Sequence, residues 1–321
     1  MTIKATASPA RTSRAHRTEK PNSREIGVHP PQAQRGFSLL ELMIGLTIGL
    51  IVIGVAMGAL LISRGVSGTV SDASGIQQQA SYAMRVIGTQ LRQAGSLRLN
   101  LSPNTSASAA AAAASGVGGD AYLTEVAFET LAPSTGGTAF DPASDTITGT
   151  NTSLTTGYRR YKEPLYSASA EESLVRNCLG GPAETNKDQK VESVFTFNAS
   201  TNELRCSGNG MAAQPILQNV ANFQVRYLVQ NNTTITSTGS LMRNVAAADV
   251  SNWSQVQAVE VCLVLYGNEP INMTGLDASA TTYTDCDGTT SVNMATLTGE
   301  RARRMHLLFR NVFQLRSQGL T

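Results

Sequence analysis

Four cysteines are the residues of this chain best suited to covalent chemistry: Cys178, Cys206, Cys262 and Cys286. None of them forms a Cys-x-x-Cys pair, and the three histidines are not spaced to complete a zinc site with them. An even number of cysteines after a long apolar segment is typical of disulfides made in an oxidising compartment. Three pairings are open. We favour Cys178–Cys206 with Cys262–Cys286, because each closes a short loop rich in turn residues; four buried free thiols are the alternative.

A second unusual group of residues opens an apolar run. Gly36 and Phe37 precede it, and Glu41 lies near its start. Residues 42–63 then carry no charge, and as a helix at ~1.5 Å per residue they would span roughly 33 Å, which matches a hydrocarbon core of ~30 Å. Residues 1–35 hold seven Lys and Arg against two acids, whereas only Arg64 closely follows the run. The positive-inside rule therefore predicts a cytoplasmic N-terminus.

Three kinds of membrane segment compete for this run. A cleaved secretory signal would have an apolar region of about 7–15 residues, so this one is too long. A permanent signal anchor fits the length and orientation, but leaves Glu41 unexplained, because an acid costs ~2.5–3.5 kcal/mol near the centre of a membrane helix. It also leaves unexplained why a glycine opens the run. The third kind of segment accounts for both residues.

The run Gly36-Phe37-Ser38-Leu39-Leu40-Glu41 behind a basic leader resembles the N-terminal motif of type IV prepilins. The resemblance implies that a membrane aspartyl peptidase cuts between Gly36 and Phe37 and then methylates the new amino terminus at Phe37. A glycine suits this position because a residue without a Cβ lets a protease approach an extended backbone. The resemblance also gives Glu41 a role: a carboxylate within a bundle of apolar helices is tolerated when it pairs with the terminal amine of a neighbouring subunit.

Further residues narrow the resemblance to the PilW family of minor pilins. They are "FSLLELMIGLTIGLIVIG" (37–54), "LRQAG" (91–95), "VQAVEVCLVL" (256–265), the cysteine-bearing loop after it, and the basic stretch 301–317. Gln90, where an acid is expected, departs from the pattern. The resemblance implies a low-abundance subunit of a complex that primes pilus assembly near the filament tip. Its implied partners are other minor pilins, the major pilin, a tip adhesin, the prepilin peptidase and the inner-membrane assembly platform.

Other functions remain as alternatives. A type II secretion minor pseudopilin, similar to GspJ, would share the leader, helix and head. A membrane-anchored periplasmic enzyme is disfavoured, since the sequence has no catalytic motif and His306 is interpreted as a solvent-facing side chain. We expect no cofactor and no metal, and interpret Asp285–Gly288 ("DCDG") as a turn beside a disulfide rather than a calcium loop. Without the basic leader the chain is mildly acidic, which argues against nucleic-acid binding. An adhesive role for the polar head is a further alternative.

The remaining patterns predict an α+β, pilin-like fold, in which a long N-terminal helix packs on a β-rich globular head. Apolar residues recur at helical spacing as far as Ala94, and Gly95 is expected near the end of the helix. Strands are predicted from alternation or from β-branched runs. They are 191–197 and 203–206 as a hairpin, 222–229, 256–267 and 303–317, for the last of which a helix is the alternative.

These predictions divide the chain into three parts. Residues 1–36 are the cytoplasmic leader; residues 37–95 form the long helix, transmembrane over 37–63 and amphipathic over 64–95; and residues 96–321 form the head with two disulfides. Within the last part, residues 102–119 have low complexity and are expected to form an exposed loop. The expected location is the inner membrane, with a single span and a periplasmic head, and then the extracellular pilus.

Overall fold

The computed structural model describes residues 36–98, 137–166, 171–236 and 239–315, and gives only the backbone for those between 231 and 241. Leader residues 1–35 and the low-complexity run 102–119 lie outside the described residues. Contacts divide the chain into two compact units between Gly58 and Ala59, and each is described by itself.

The long helix α1 (Leu39–Gln93) has a recognisable residue at each end. At the start, Ser38 Oγ accepts the backbone N–H of Glu41 at 3.2 Å, which satisfies one of the free donors of the first turn. At the end, Gly95 has a φ of +69°, a left-handed conformation that glycine adopts without strain. Its N–H donates to the carbonyl of Gly157 at 2.9 Å, so the helix ends against the head, where the sequence predicts its end.

The part of α1 that packs on the head has one buried face. Its buried residues recur every three or four positions: Ile76, Ala80, Ala83, Ile87, Gly88, Gln90 and Leu91. Val66 and Val70, which continue the same stripe towards the N-terminus in the sequence, are exposed instead. Close to them the head makes a polar contact with the helix at Asp72, whose Oδ2 accepts the N–H of Glu269 at 2.7 Å. The amphipathic half of the helix is therefore covered over a shorter length than its sequence predicts.

The head is dominated by antiparallel strands. Among the described residues there are thirteen: β1 (Ile147–Gly149), β2 (Ser153–Arg159), β3 (Glu163–Pro164), β4 (Glu171–Glu172), β5 (Lys190–Asn198), β6 (Glu203–Gly208), β7 (Met211–Leu217), β8 (Val220–Thr236), β9 (Gly239–Val245), β10 (Val256–Pro270), β11 (Thr282–Thr284), β12 (Ser291–Asn293) and β13 (Arg304–Gln314). The described residues also form two short helices: α2 (Pro142–Asp145) before β1, and α3 (Ala278–Thr281) between β10 and β11. The α+β class predicted from the sequence is confirmed.

The five-stranded sheet has the order β1-β2-β5-β6-β7. The predicted hairpin is confirmed as β5 and β6, which pair antiparallel with Phe195 opposite Cys206. Its inner face is apolar at Leu154, Phe195 and Leu204, all fully buried. Successive side chains alternate between the two faces of a strand, which leaves polar residues such as Thr196 on the outer face.

The four-stranded sheet has the order β13-β10-β8-β9. Alternation in β8 is as predicted, with Phe223, Val225 and Tyr227 fully buried. The closing segment is a strand, β13, and not a helix. Strand β10 differs from expectation. Val261 and Leu263 face the main core, but the outer face is buried too, because the segment around β11 and β12 covers it; its buried residues are Cys262, Val264 and Tyr266.

The main core lies where α1 meets side chains of both larger sheets. One close approach depends on glycine. A Cβ on Gly88 would lie 2.5 Å from Cε1 of Phe313 in β13, so the absence of a side chain lets that ring pack directly against the helix. Because cores are packed to crystal-like density, this contact fixes the position of α1 along the sheet.

A polar contact fixes the same register. Gln90 is buried where α1 packs on the head. There its Oε1 accepts from Ser193 Oγ at 2.9 Å and its Nε2 donates to the Arg176 carbonyl at 3.2 Å. The Tyr158 hydroxyl lies 2.6 Å from the same carbonyl and 3.3 Å from Gln90 Oε1. Burial raises the pKa of Tyr158, so this hydroxyl stays protonated and donates. The departure from an acid at position 90 thus has a physical reason: the amide supplies a donor that a carboxylate lacks.

We expect Gln90→Glu to destabilise the head by about 2–4 kcal/mol at neutral pH. The substitution removes the donor to Arg176 and places a charge against that carbonyl in a buried site. Thermal unfolding of Gln90→Glu beside Gln77→Glu, an exposed position on the same helix, checks this. Equal melting temperatures for the two variants would show that the buried site at position 90 does not require an amide.

Candidate assembly site

The segment Gly36–Glu41 is open to a partner. Gly36 and Phe37 precede the first helical residue, Leu39, and the Phe37 side chain is 85% exposed. Among the described residues, no heavy atom beyond its chain neighbours lies within 4 Å of the place where a Cβ on Gly36 would be. Both residues that flank this bond are thus exposed in the described part of the chain, and Ser38 holds the helix start directly after it.

Glu41 lies in the first turn of α1 and is exposed. An acid in this position is favourable, since the unpaired N–H groups at a helix start carry a partial positive charge. Among the described residues, no lysine or arginine forms an ion pair with its carboxylate. The carboxylate is thus presented on the helix surface, close to the residue that becomes the amino terminus if the chain is cut after Gly36.

The helix surface that follows is apolar on all sides. Leu46, Ile51, Val55 and Leu61 are each more than half exposed, although they lie on different faces. Exposed apolar surface on this scale is unfavourable in water, so it requires lipid or other apolar helices around it. The helix is long and apolar enough to cross a membrane.

Four glycines break this apolar surface in two pairs, Gly45 with Gly49 and Gly54 with Gly58. In the part of the chain that the structure describes, no heavy atom outside the helix's own nearby backbone lies within 4 Å of a Cβ built on any of them. Small residues four apart allow two helices to approach closely in lipid or in a filament core. The first unit therefore offers two shallow faces for a neighbouring helix.

The head holds two disulfides, which join Cys178 to Cys206 and Cys262 to Cys286. Their Cα atoms lie 6.3 and 5.7 Å apart, within the usual range for a disulfide. This is the sequential pairing. The first bond connects β6 to the loop before β5 beside the main core, and the second connects β10 to the turn after β11.

His306 is not a solvent-facing side chain, contrary to the sequence-based interpretation. It is 4% exposed, and its ring stacks on that of Tyr283 with centroids 4.9 Å apart and planes within 8°. The alternation along β13 correctly places it on the outer face of the sheet, opposite Tyr266. That face is covered, however, by the hairpin that carries Cys286, so burial follows.

The sequence "DCDG" forms a turn between β11 and β12, as expected. Asp287 accepts the backbone N–H groups of Thr289 and Thr290 at 2.9 and 2.8 Å and the Thr290 hydroxyl. These bonds lower the pKa of Asp287 to about 2. Its carboxylate thus organises the turn that presents Cys286 to β10.

Two polar features were missed in the sequence. Ser38 lies three residues before Glu41, the spacing of a helix-capping pair, so this signal was readable. Glu184 forms ion pairs with Arg160, Lys162 and Arg176. No local sequence pattern indicates this cluster. Burial alone would raise the pKa of Glu184, but hydrogen bonds from Arg176 and from the Ser173 N–H, with nearby Arg160, hold it below its usual value.

Two known family models match this chain, one in the head and one at the start of the long helix. The family described as Type IV Pilus-assembly protein W matches residues 184–317, which contain most of both larger sheets. The Prokaryotic N-terminal methylation motif matches residues 31–57, which contain Gly36, Phe37 and Glu41. The two matches together cover about half of the chain. The chain is a type IV minor pilin of the PilW family.

Other comparisons add little to this PilW assignment. A type IV-like pilin from Thermus thermophilus is similar in structure, with a TM-score of 0.35 and 13% sequence identity over 75% of this chain and 95% of that one. This TM-score is too low to indicate a shared fold, so the assignment depends on the two sequence matches. Among curated proteins, none matches the chain significantly in sequence.

Membership of the PilW family decides several questions that the sequence left open. With the methylation motif and the apolar helix, it makes this protein a membrane-anchored pilin. It favours a type IV pilus over a type II secretion system. Pilins are structural proteins that act by contacting other pilus components, so a catalytic role for the head gains no support.

Proposed function

We propose that this PilW-family protein is processed after Gly36 and then helps to initiate pilus assembly as part of a priming complex at the filament tip. One observation carries the proposal: an exposed Gly36–Phe37 bond leads directly into an apolar helix that presents Glu41 in its first turn. Cleavage site, new terminus and acid are thus grouped at one end of a membrane-competent helix.

Processing involves two chemical steps. Prepilin peptidase hydrolyses the Gly36–Phe37 bond on the cytoplasmic face and releases leader residues 1–36. The new amine of Phe37 is then methylated. The exposed position of both residues supports access by one membrane enzyme to both reactions.

Assembly uses Glu41. When the helix leaves the bilayer and packs among others, a lone carboxylate in apolar surroundings is costly, and a positive partner offsets that cost. The methylated amine of a neighbouring Phe37 is such a partner, since it too must be neutralised. The pairing would set the depth at which one helix packs against the next.

The proposed topology follows from these roles. The leader is cytoplasmic, residues 37–63 span the inner membrane before extraction, residues 64–95 continue the helix, and head 96–321 faces the periplasm and later the cell exterior. Two disulfides support an oxidising location for the head. We propose a structural role without catalysis, with other minor pilins, the major pilin, a tip adhesin and the assembly platform as partners.

Mass spectrometry of the membrane and pilus fractions tests the processing step. We expect the N-terminal peptide to begin at methylated Phe37, because the bond before it is exposed and has a glycine on its leader side. A variant with Gly36→Val should retain the leader, whereas Gly68→Val, which lies within α1 and far from the bond, should be cut normally. An intact Met1 form in cells that process other prepilins would contradict the proposal.

Co-purification from cross-linked cells tests the assembly role. We expect other minor pilins and the tip adhesin to be recovered with the tagged head. Recovery of type II secretion pseudopilins in their place would assign the protein to that system.

A further inference from the structure

A hairpin held against the head by a buried histidine is the most unusual feature of the second unit. The Cys286 hairpin, residues 282–293, consists of β11, β12 and the turn between them. It covers an apolar part of the four-stranded sheet formed by Ala221, Val264, Tyr266 and Leu308. The disulfide Cys262–Cys286 ties the tip of the hairpin to β10, but its base is held by non-covalent contacts.

The contact at the base centres on His306. Its ring lies between Tyr283 of the hairpin, at 4.9 Å, and Tyr266 of β10, at 5.7 Å between centroids. Nδ1 lies 2.9 Å from the Arg304 carbonyl, which can only accept, so Nδ1 carries the hydrogen. Nε2 is then the unprotonated nitrogen, and it is buried without a hydrogen-bond partner among the described residues.

The surroundings of His306 oppose a second proton. Arg301 ends the 3-10 helix Gly299–Arg301, just before β13, and donates to the Tyr283 hydroxyl at 3.3 Å. Arg304 lies over the Tyr266 ring at 5.8 Å. The acids near this cluster are Asp285 in the hairpin turn, which accepts from Asn222 at 2.8 Å, and Glu300 next to Tyr266. A proton on Nε2 would thus place a positive charge, and an N–H without an acceptor among the described residues, in a closed site.

We propose that His306 is an acid-sensitive latch, whose protonation releases the base of the Cys286 hairpin and uncovers the apolar sheet surface beneath it. The disulfide keeps the hairpin attached, so release is a local, reversible opening and not unfolding. The uncovered surface extends from β10 to the edge strand β13. It would become available to another subunit. The latch does not depend on processing or on the role of Glu41.

The direction of the pH dependence follows from linkage. Burial lowers the pKa of His306, and Arg301 acts in the same direction, against the Arg304 carbonyl and Asp285. In the open form His306 has its ordinary pKa of ~6.5. Below that pH the open form therefore binds a proton that the closed form does not bind. The closed form is fully favoured above pH 6.5 and loses stability as the pH falls below it. Tyr266 and Tyr283 do not titrate in this range, since burial raises the pKa of both.

Hydrogen exchange of the full chain in detergent at pH 7.5 and pH 5.0 tests the latch. After correction for the intrinsic pH effect, protection of peptide 282–293 should fall by up to about 30-fold at pH 5.0, the ratio set by a pKa of ~6.5 in the open form. Peptide 190–208, which contains β5 and β6, is the internal control and should not change. His306→Phe keeps a ring but cannot titrate, so its hairpin should show no such dependence.

Two results would overturn the proposal: unchanged protection of the natural hairpin between the two pH values, or the same loss of protection in His306→Phe. If that variant does not fold, exchange at the imidazole carbon of His306 in the natural chain gives an independent reading. A pKa below the ordinary value with slow exchange supports the latch, and an ordinary pKa with fast exchange refutes it.

Discussion

Glu41→Ala is expected to leave the protein in the inner membrane but to prevent its incorporation into the pilus. Insertion should not suffer, because the substitution removes the one acid near the apolar run, and acids disfavour membrane insertion. Assembly should fail, because the amine of a neighbouring Phe37 would enter an apolar helix bundle without a partner, and breaking a buried pair costs about 3–5 kcal/mol. That cost corresponds to a loss of more than a hundredfold in incorporation.

Fractionation and immunoblotting separate the two effects. The membrane fraction of Glu41→Ala should contain normal amounts of processed protein, while sheared pili should contain little or none. Glu41→Gln is the matched control for size, and it should fail as well, since an amide does not carry the neutralising charge. Ser38→Ala removes the helix cap but keeps the acid, so it should assemble. Normal incorporation of Glu41→Ala would show that Glu41 pairs with nothing essential.

The parts of this fold that were predictable are those that local periodicity determines. The end of α1 follows from a helical repeat that stops before Gly95, and β8 follows from strict alternation around Val225. The β5–β6 hairpin follows from two β-rich runs around a polar turn. In each case the residues that decide the structure lie within a few positions of one another, so one stretch of sequence contains the signal.

The parts that were not predictable depend on residues far apart in the chain. His306 alternates as an outward-facing residue should, and its burial arises from Tyr283, which covers that face from another part of the sequence. Gln90 shows the same limit: its departure from an expected acid is visible locally, but Ser193 and Arg176, which explain it, are not. Val66 has the apolar type of a packed residue, yet the head does not extend that far along the helix.

The N-terminal motif behaves differently from the head. Gly36, Phe37 and Glu41 are adjacent in sequence, and their proposed functions depend on other molecules and not on contacts within the chain. The structure therefore adds only access and the Ser38 cap at this site. For the head the opposite holds, since its sheet order and its hairpin contacts are what the sequence does not reveal.

Removal of the Cys178–Cys206 disulfide by a double alanine substitution is expected to lower the free energy of unfolding of the head by about 2–5 kcal/mol. The bond spans 28 residues and restricts the unfolded chain, and Cys206 is fully buried in the main core. Alanine is preferred to serine, which would place a hydroxyl in an apolar site. Since domains of this size are stable by about 5–15 kcal/mol, the loss should produce a large drop in melting temperature.

The Cys262–Cys286 pair serves as the matched comparison, since it spans a similar 24 residues but ties down a hairpin at the side of the sheet. Its removal should also destabilise the head, and in addition it should lower exchange protection of residues 282–293 at neutral pH, which removal of the first pair should not do. Reduction of the natural protein should reproduce both losses. If the Cys178–Cys206 variant melts at the natural temperature, that bond does not stabilise the core. If the hairpin stays protected without Cys286, the contacts around His306 suffice to hold it at neutral pH.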